Sequence, residues 1–522
     1  MIPLLLPVLL LLFLTIAYIK INDSHIKAIP DRVTALSPNR WTPEYIRNQA
    51  EKFAKEQPKR TINDQLPSKT GRRYIIVGGS GFLGGWIVNQ LLERGENPKY
   101  IRIIDLRPPT RTDLLTGPAL QIQFIPADIT SPSSIQTAFT LPWPSGVPSD
   151  TEITVFHTAA NIRFYERHPS LLPFSSNVNV KGTQNVVEAS KSIGATILIY
   201  TSSASVAVRR TNLFLWPWQK EPENFVQIIN DSEESENPLL PRKHEEYFSN
   251  YAVSKITAEK YVRAADKSPT GTGNDMLRTG AIRPGNGVYG PGDMFCDVYL
   301  IRKSTPSWVH NSVQSFMYVE NCALAHLLYE ARLIESSLST SPSPPPNPDL
   351  GGQFFNIADP GPTPNYGDVY TQLGILSNGE TQFPVFSATG MLMVAYMVEW
   401  YYLMRFRVLG LTTGTSSWSA NAKEVANGKA NGQTNGTSSH SPTAPAPLKP
   451  TTLTRILSRL LPPLPSDMIN LQPTLFFLTS VHAIFDDSRA RLHPSKGGLG
   501  YQGVWNTFEG ICRTVDAHYG RG

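Results

Sequence analysis

Tyr251 and Lys255 stand four residues apart in YAVSK, a stretch that opens a helical pattern running through Ala258, Tyr261 and Val262. On a helix, side chains at i and i+4 leave the same face. A phenol with an ordinary pKa of about 10 is a poor base at neutral pH. An ammonium one turn away favours the phenolate, so the spacing predicts a tyrosine with a lowered pKa acting as acid and base. Ser203 ends Thr201-Ser202-Ser203, directly after a strand-like run from Thr196 to Tyr200. Hydroxyls at the carboxyl end of a parallel strand stand where ligands bind in doubly wound sheets. Ser203 is therefore expected to hold a substrate oxygen. A lone YxxxK arises often by chance, so the elements around it must decide.

Those elements begin at Tyr74 to Val77, a β-branched run that reads as a buried parallel strand. Gly78, Gly81 and Gly84 follow, and Phe82 to Arg94 carries apolar residues at helical intervals. A second strand, Tyr100 to Ile104, ends on Asp105. In such a βαβ unit the glycines let backbone approach a pyrophosphate, and the amides of Phe82, Leu83 and Gly84 open the helix toward it. Asp105 falls about twenty residues on, where a carboxylate accepts hydrogen bonds from the adenosine ribose. This predicts a bound dinucleotide, NAD by the carboxylate, with NADP left open by the nearby Arg107. A positive nicotinamide ring would help Lys255 to lower the Tyr251 pKa.

Four further stretches line up behind this unit. Asp128-Ile129 follows a strand at Ile122 to Pro126, and Asp128 is read either as a contact to the adenine amino group or as a helix N-cap. The strand VFHTAA (Val155 to Ala160) has small residues, Ala159 among them, over which a cofactor can lie; His157 within it reads as a core histidine. Asn177 to Ala189 reads as one helix with Asn179 as a polar group in mid-helix. Pro284 belongs to RPGNGVYGPGD, Arg283 to Asp293.

Taken in order, the GxxGxxG turn, Asp105, the Asp128-Ile129 pair, NVKGT, TSSASV, YAVSK and RPGNGVYGPGD resemble the extended short-chain dehydrogenases. FMYVENCALAHLLYEARL (Phe316 to Leu333), GGQFFNIAD (Gly351 to Asp359) and Gly498 to Tyr519 narrow this to a resemblance to the 3β-hydroxysteroid dehydrogenase family, its sterol-4α-carboxylate 3-dehydrogenases (decarboxylating) included. The resemblance covers about 73 to 390 and 470 to 520. It implies an α/β fold with a Rossmann-type doubly wound parallel sheet and a smaller C-terminal substrate-binding part. It also implies NAD-linked oxidation of a sterol or steroid 3β-hydroxyl, followed in the sterol-carboxylate branch by loss of carbon dioxide from the 3-keto acid. The roles carried over are Tyr251 as acid/base, with Lys255 and Ser203, and Asn179 supporting the lysine or a water relay. Three other readings stay open: a Δ5-steroid dehydrogenase/isomerase, a nucleotide-sugar epimerase or dehydratase, and a catalytically idle cofactor-binding scaffold.

The rest of the chain points to a membrane. Ile2 to Ile19 is uncharged, roughly 27 Å of helix against a hydrocarbon core of about 30 Å. Basic residues follow it (Lys20, Lys27, Arg32, Arg40), which predicts an uncleaved anchor at 1–21 with the catalytic domain in the cytosol; the resemblance implies that the membrane is that of the endoplasmic reticulum. Residues 22–72 read as a tether with a helical stretch near Thr42 to Glu56. The dehydrogenase domain then occupies 73–390, with its cofactor core at about 73–285 and its substrate part at about 204–250 and 286–390. Within it an insertion, Arg209 to Asn250, carries an acidic run, Asp231 to Glu236, and Leu213 to Trp218 (LFLWPW), which is expected as a lid or membrane contact or else to pack on the domain surface. Ser339 to Pro348 is a Pro-rich loop. Met391 to Phe406 is apolar but interrupted by Glu399, whose cost of about 2.5 kcal/mol or more at mid-membrane favours an interfacial or hairpin segment over 391–411. The linker 412–450 has a disordered composition and an Asn435 sequon that goes unused in the cytosol. Within 451–522, Leu453, Ile456, Leu457, Leu460 and Leu461 form a stripe opposite Arg455 and Arg459, as in a membrane-surface helix.

The chain has 522 residues, a net charge of +5 and three cysteines. The charge is too mild to argue for nucleic acid, and the cysteines are too few for a disulfide framework or metal site. Expected partners are the sterol or steroid, membrane lipid and other membrane-bound sterol enzymes, with a dimer allowed.

Overall fold

The computed structural model describes residues 2–56, 60–231, 242–271, 273–293, 295–337, 347–413 and 452–521. The acidic run beyond Asp231, most of the Pro-rich loop 339–348 and nearly all of the linker 412–450 lie outside the described residues.

Seven parallel strands form the central sheet: β1 (Arg73–Val77), β2 (Ile101–Asp105), β3 (Gln123–Pro126), β4 (Ile153–His157), β5 (Ile197–Thr201), β6 (Met276–Pro284) and β7 (Gln353–Ile357). Their order across the sheet is β7-β6-β5-β4-β1-β2-β3, with Ser268–Pro269 added antiparallel to β6. The chain leaves β1 in one direction for β2 and β3 and in the other for β4 to β7. This places the topological switch between β1 and β4, where ligands bind at the carboxyl edge. Alternation along each strand sends Tyr74, Ile76, Ile103, Phe156 and Ile199 to one face and Ile75, Val77, Ile104, Val155 and Leu198 to the other. Both sets are buried, so both faces need helical cover, and the strands read as apolar runs for that reason.

The main helices are α1 (Ile2–Ile26), α2 (Phe82–Glu93), α3 (Thr183–Ser192), α4 (Asn250–Ala264), α5 (Val319–Ser337), α6 (Ala388–Thr413), α7 (Thr452–Leu460) and α8 (Thr507–Tyr519). Helices α2 and α5 pack together on one face; α3 and α4 pack together on the other. Arg94 locks the first pair, donating to Glu330 at 2.9 Å with both side chains buried.

Two smaller parallel ribbons complete the substrate side. Val226–Ile229 of the insertion pairs with His482–Phe485, and Val288–Tyr289 with Met317–Tyr318. The C-terminal segment is thus part of the domain. Asp359 pins it, accepting from Tyr289 Oη at 2.9 Å, Asn321 Nδ2 at 2.9 Å and Thr507 Oγ1 at 3.1 Å.

Three expectations change. The stretch 22–72 is packed: Ile26, Val33, Ile46, Phe53 and Ile62 are buried on the domain. The Pro43–Glu56 helix within it puts Ile46 and Phe53 inward. Asn177 to Ala189 is not one regular helix, because Asn177–Gly182 forms a π-helical turn ahead of α3. Over 391–411 there is no hairpin but one helix, α6. It docks by its Ala388, Leu392, Ala395, Val398 and Tyr402 face. Glu399 points inward with them and takes a bidentate pair from Arg167, both bonds 2.6 Å. Its charge is met inside the protein, which sequence alone could not reveal. Among the described residues, one helical stretch, Leu6–Leu36, is long and apolar enough to cross a membrane, and its most apolar window is 6% buried.

Candidate active site

At the β1–α2 turn, Gly78 adopts φ +86°, and a Cβ there would lie 2.6 Å from the Ala159 nitrogen. A Cβ on Gly84 would lie 2.2 Å from the Gly78 oxygen, so α2 can approach β1 this closely only with glycine at both places. Gly81 caps α2 without any side-chain hydrogen bond to the first turn. The amides of Phe82, Leu83 and Gly84 therefore open on the carboxyl edge of the sheet with no capping side chain in the way, the arrangement that receives a phosphate. Asp105 lies beside them. Its Oδ2 accepts from the Ser80 amide at 3.2 Å and its Oδ1 from the Leu106 amide at 2.7 Å. Burial raises its carboxyl above the ordinary value, against the pull of those two amides. Arg107, two residues on, is exposed.

Asp128 follows β3. Its Oδ1 accepts from the Thr130 amide at 2.9 Å and the Thr130 hydroxyl at 2.7 Å. The helix cap is instead Ser131, whose hydroxyl accepts from the Ser134 amide at 3.3 Å. Ile129 is buried beneath the π-helical turn; a Cβ on Gly182 would come within 2.6 Å of it. The cradle thus brings Gly78, Gly81, Gly84, Asp105 and Ala159 together, with Asp128 and Ile129 one strand further out. These residues fit a dinucleotide: there is room for backbone-close phosphates and a carboxylate where a ribose would lie.

The second half of the site is built on β5 and α4. Ser249 caps α4, accepting from the Ala252 amide at 3.3 Å. Tyr251, on its first turn, is buried beside Ser203. Burial pushes its phenol up to about 12, against a hydrogen bond with Ser203 that lowers it. The lysine does not produce the lowering expected from the i,i+4 spacing. Lys255 turns away toward β5, donating from Nζ to the Thr201 carbonyl at 2.6 Å and lying 4.2 Å from the Tyr200 ring centroid. Burial brings its ammonium down to about 7, with Glu259 acting to raise it. Pro284 ends β6 opposite Ile357, two strands from β4.

Asn179 does not touch Lys255. Its Oδ1 accepts from the Asn161 amide at 2.7 Å, and its Nδ2 donates to the Asn161 carbonyl at 3.0 Å and to Ser254 Oγ at 2.9 Å. Ser254 in turn donates to the Tyr251 carbonyl at 2.8 Å. The π-helical turn thus delivers an amide that ties the loop after β4 to α4. His157 is fully buried against Thr183 Oγ1 at 2.9 Å and is brought down to about 3, by burial first and Lys255 second. It is a core histidine.

Sequence reasoning missed one more turn of α4. Glu259 follows Tyr251 and Lys255 on the same face and is completely buried in a bidentate pair with Arg283, both bonds 2.8 Å. Burial raises the Glu259 carboxyl, but the Arg283 charge and hydrogen bonds outweigh that and hold it below its ordinary value. The 251, 255, 259 spacing was the available signal, with Arg283 sitting in RPGNG.

Comparison with known proteins places the chain in a family. The pattern of the 3-beta hydroxysteroid dehydrogenase/isomerase family matches residues 75–385. The chain is similar to the sterol-4-alpha-carboxylate 3-dehydrogenase, decarboxylating, of Candida albicans: 27% identical over 304 residues, covering 57% of this chain and 73% of that protein. Against the Saccharomyces cerevisiae protein of the same name it is 26% identical over 346 residues, 65% of this chain and 85% of that one. Mouse 3 beta-hydroxysteroid dehydrogenase type 7 is 29% identical over 306 residues, 56% of this chain and 70% of that one. Among solved structures, a UDP-glucose 4-epimerase from Thermotoga maritima aligns at TM-score 0.49 and 15% identity, over 86% of this chain and 99% of that one.

Proposed function

Because the chain belongs to the 3-beta hydroxysteroid dehydrogenase/isomerase family, its site handles a nicotinamide nucleotide, and we propose that it oxidises the 3β-hydroxyl of a sterol to the 3-ketone. Where the substrate carries a 4α-carboxylate, the product is a β-keto acid. Its electrons flow into the new carbonyl as carbon dioxide leaves, so no additional residue is needed. The observation that carries this reading is the hydrogen bond between Ser203 and Tyr251 at the carboxyl edge of β5, with Tyr251 buried in one apolar cluster with Leu213, Phe225 and Leu392. That is a wall for a lipidic substrate. A nucleotide sugar would ask for polar groups there.

In this reading Ser203 donates to the substrate oxygen and Tyr251 takes the hydroxyl proton as hydride leaves the carbon. The nicotinamide nucleotide, when bound, supplies the hydride acceptor and a positive charge. The protein by itself keeps Tyr251 protonated at neutral pH, so the tyrosine becomes a base only in a complex that carries such a charge. Lys255 holds the nicotinamide ribose from its seat on the Thr201 carbonyl. Asn179 keeps α4 in place through Ser254. Asp105 favours NAD by accepting from a ribose diol and repelling a 2′-phosphate. Helix α1 anchors the protein in the endoplasmic reticulum membrane, with Lys20, Lys27, Arg32 and Arg40 keeping the domain on the cytosolic side.

The test is NADH production by detergent-solubilised protein, with wild type beside Tyr251→Phe. The substrates are a 4α-carboxy sterol, a simple 3β-hydroxysteroid and a nucleotide sugar. Carbon dioxide release from the carboxy sterol, lost in the variant, supports the decarboxylating reaction. Oxidation of the simple steroid alone moves the protein to the other branch, and turnover of the sugar alone sinks the proposal.

A further inference from the structure

One asparagine joins three segments beside the site. Asn22, at the end of α1 and buried, donates from Nδ2 to the Leu213 carbonyl at 2.9 Å and to Thr389 Oγ1 at 2.8 Å. Its Oδ1 accepts from the Leu215 amide at 3.1 Å. The insertion loop and the start of α6 are thereby fixed where the apolar helix leaves the domain. In that loop Leu213 and Leu215 turn inward, while Trp216 and Trp218 turn out, 63% and 73% exposed. The two indoles stack on each other, centroids 5.2 Å apart and planes 7° from parallel. On α6, the face opposite its docked stripe exposes Met397 at 61% and Trp400 at 66%. Helix α7 is held to α6 by Tyr401 Oη on the Pro462 carbonyl at 2.7 Å and by Arg405 Nε on the Leu461 carbonyl at 3.0 Å. It leaves Ile456 and Leu460 exposed, with Arg455 and Arg459 exposed beside them.

Solvent-facing indoles grouped with further exposed apolar residues mark an interaction surface. Tryptophan rings with exposed arginines, continuous with an apolar helix, suit the boundary between headgroups and acyl chains. We propose that the Trp216–Trp218 loop and the outer faces of α6 and α7 form a second contact with the lipid bilayer, seated at headgroup depth beside α1. The contact holds the substrate wall against the membrane. Tyr251 belongs to the same apolar cluster as Ile26 of α1, Leu213 of the loop and Leu392 of α6, so the contact puts the bilayer on the side of the domain that carries the phenol. This deepens the reading of α1 as an anchor and rests on it.

The test places a nitroxide on single cysteines in the full chain, reconstituted into vesicles of phosphatidylcholine and phosphatidylserine. The three native cysteines are buried, so they do not compete for label. Labels go at Trp218→Cys and Met397→Cys, at Leu11→Cys within α1, and at exposed Lys99→Cys in the turn before β2 as the aqueous control. Collision rates with oxygen and with a water-soluble nickel chelate report depth. The proposal expects the oxygen-to-nickel ratio at 218 and 397 to exceed that at 99 several-fold. If 218 and 397 match 99 while 11 is immersed, the second contact is overturned and the anchor stands. If 11 reads aqueous, the anchor fails and the contact seated beside it fails with it, whatever 218 and 397 show. Protection of 218 and 397 from both reagents means that protein covers this face, and overturns the proposal. A Trp216→Ser, Trp218→Ser double variant should lose turnover of vesicle-held sterol several-fold while keeping turnover of detergent-dispersed sterol. Equal turnover from both would overturn the contact's role in presenting substrate.

Discussion

The two halves of the site are built in opposite ways. The cofactor half is local and made of backbone: Gly78, Gly81, Gly84 and Asp105 fall in one βαβ unit, and their work is to remove side chains or to end a strand. The substrate half is assembled from side chains distant in sequence. Asn22 reaches Leu213 across 191 positions and Thr389 across 367, and Val226–Ile229 pairs with His482–Phe485. A local backbone cradle tolerates no added atom but needs little from the rest of the chain. A wall of remote contacts tolerates side-chain change but fails when any contributing segment leaves. The first can be shared by many enzymes, while the second gives one enzyme its substrate.

This contrast can be broken by mutation, beginning with the largest effect. Gly84→Ala should abolish dinucleotide binding, since the added carbon meets the Gly78 oxygen at 2.2 Å and no flexible side chain can yield. Fluorescence titration with NADH checks it, and a near-normal Kd would show that the turn relaxes. Tyr251→Phe should cost roughly 10²- to 10⁴-fold in turnover while NADH binding persists. Glu259→Gln removes the bidentate carboxylate from the buried Arg283 guanidinium and should cost about 3–5 kcal/mol of stability, read as a fall in Tm. Leu213→Ala removes a buried side chain from the remote wall. We expect about 2–5 kcal/mol of lost stability and a raised KM for sterol, with the Kd for NADH unchanged. A changed cofactor Kd there would mean that the two halves are not separable. Asp105→Asn should weaken NAD by about 1.5–3 kcal/mol and narrow its margin over NADP.

The smallest effect concerns pH. Burial holds Lys255 near about 7 in the folded protein, against an ordinary value of 10.5. Between those two values the unfolded chain binds a proton that the folded chain does not, so this residue makes stability rise with pH through that window. The Tm of wild type relative to Lys255→Met should therefore climb from about pH 7 to about pH 9. A flat difference would place a charged Lys255 in the folded site.

What the sequence disclosed follows the same division. The glycine turn, Asp105 and the Tyr251–Lys255 pair were legible because each is a short spacing of distinctive residue types. Glu259 was not, because an acid on a helix face usually belongs to a solvated surface, and only its partner Arg283 on β6 makes it a core residue. Glu399 misled in the same manner: in isolation it breaks an apolar helix, whereas Arg167 makes it the point of attachment. The lowering of the Tyr251 pKa failed as an expectation because i,i+4 spacing sets a shared face but not a contact, and Lys255 spends its ammonium on Thr201. Residues 22–72 read as a tether because their apolar positions are sparse, yet those few are the ones that pack.

The pairing of Val226–Ile229 with His482–Phe485 also orders events during synthesis. Domains form from the amino end as the chain emerges from the ribosome. The strand that closes the substrate wall arrives only after residue 485. A message truncated anywhere before that point leaves Val226–Ile229 without its partner strand, so the substrate side stays open whatever the rest of the chain has formed.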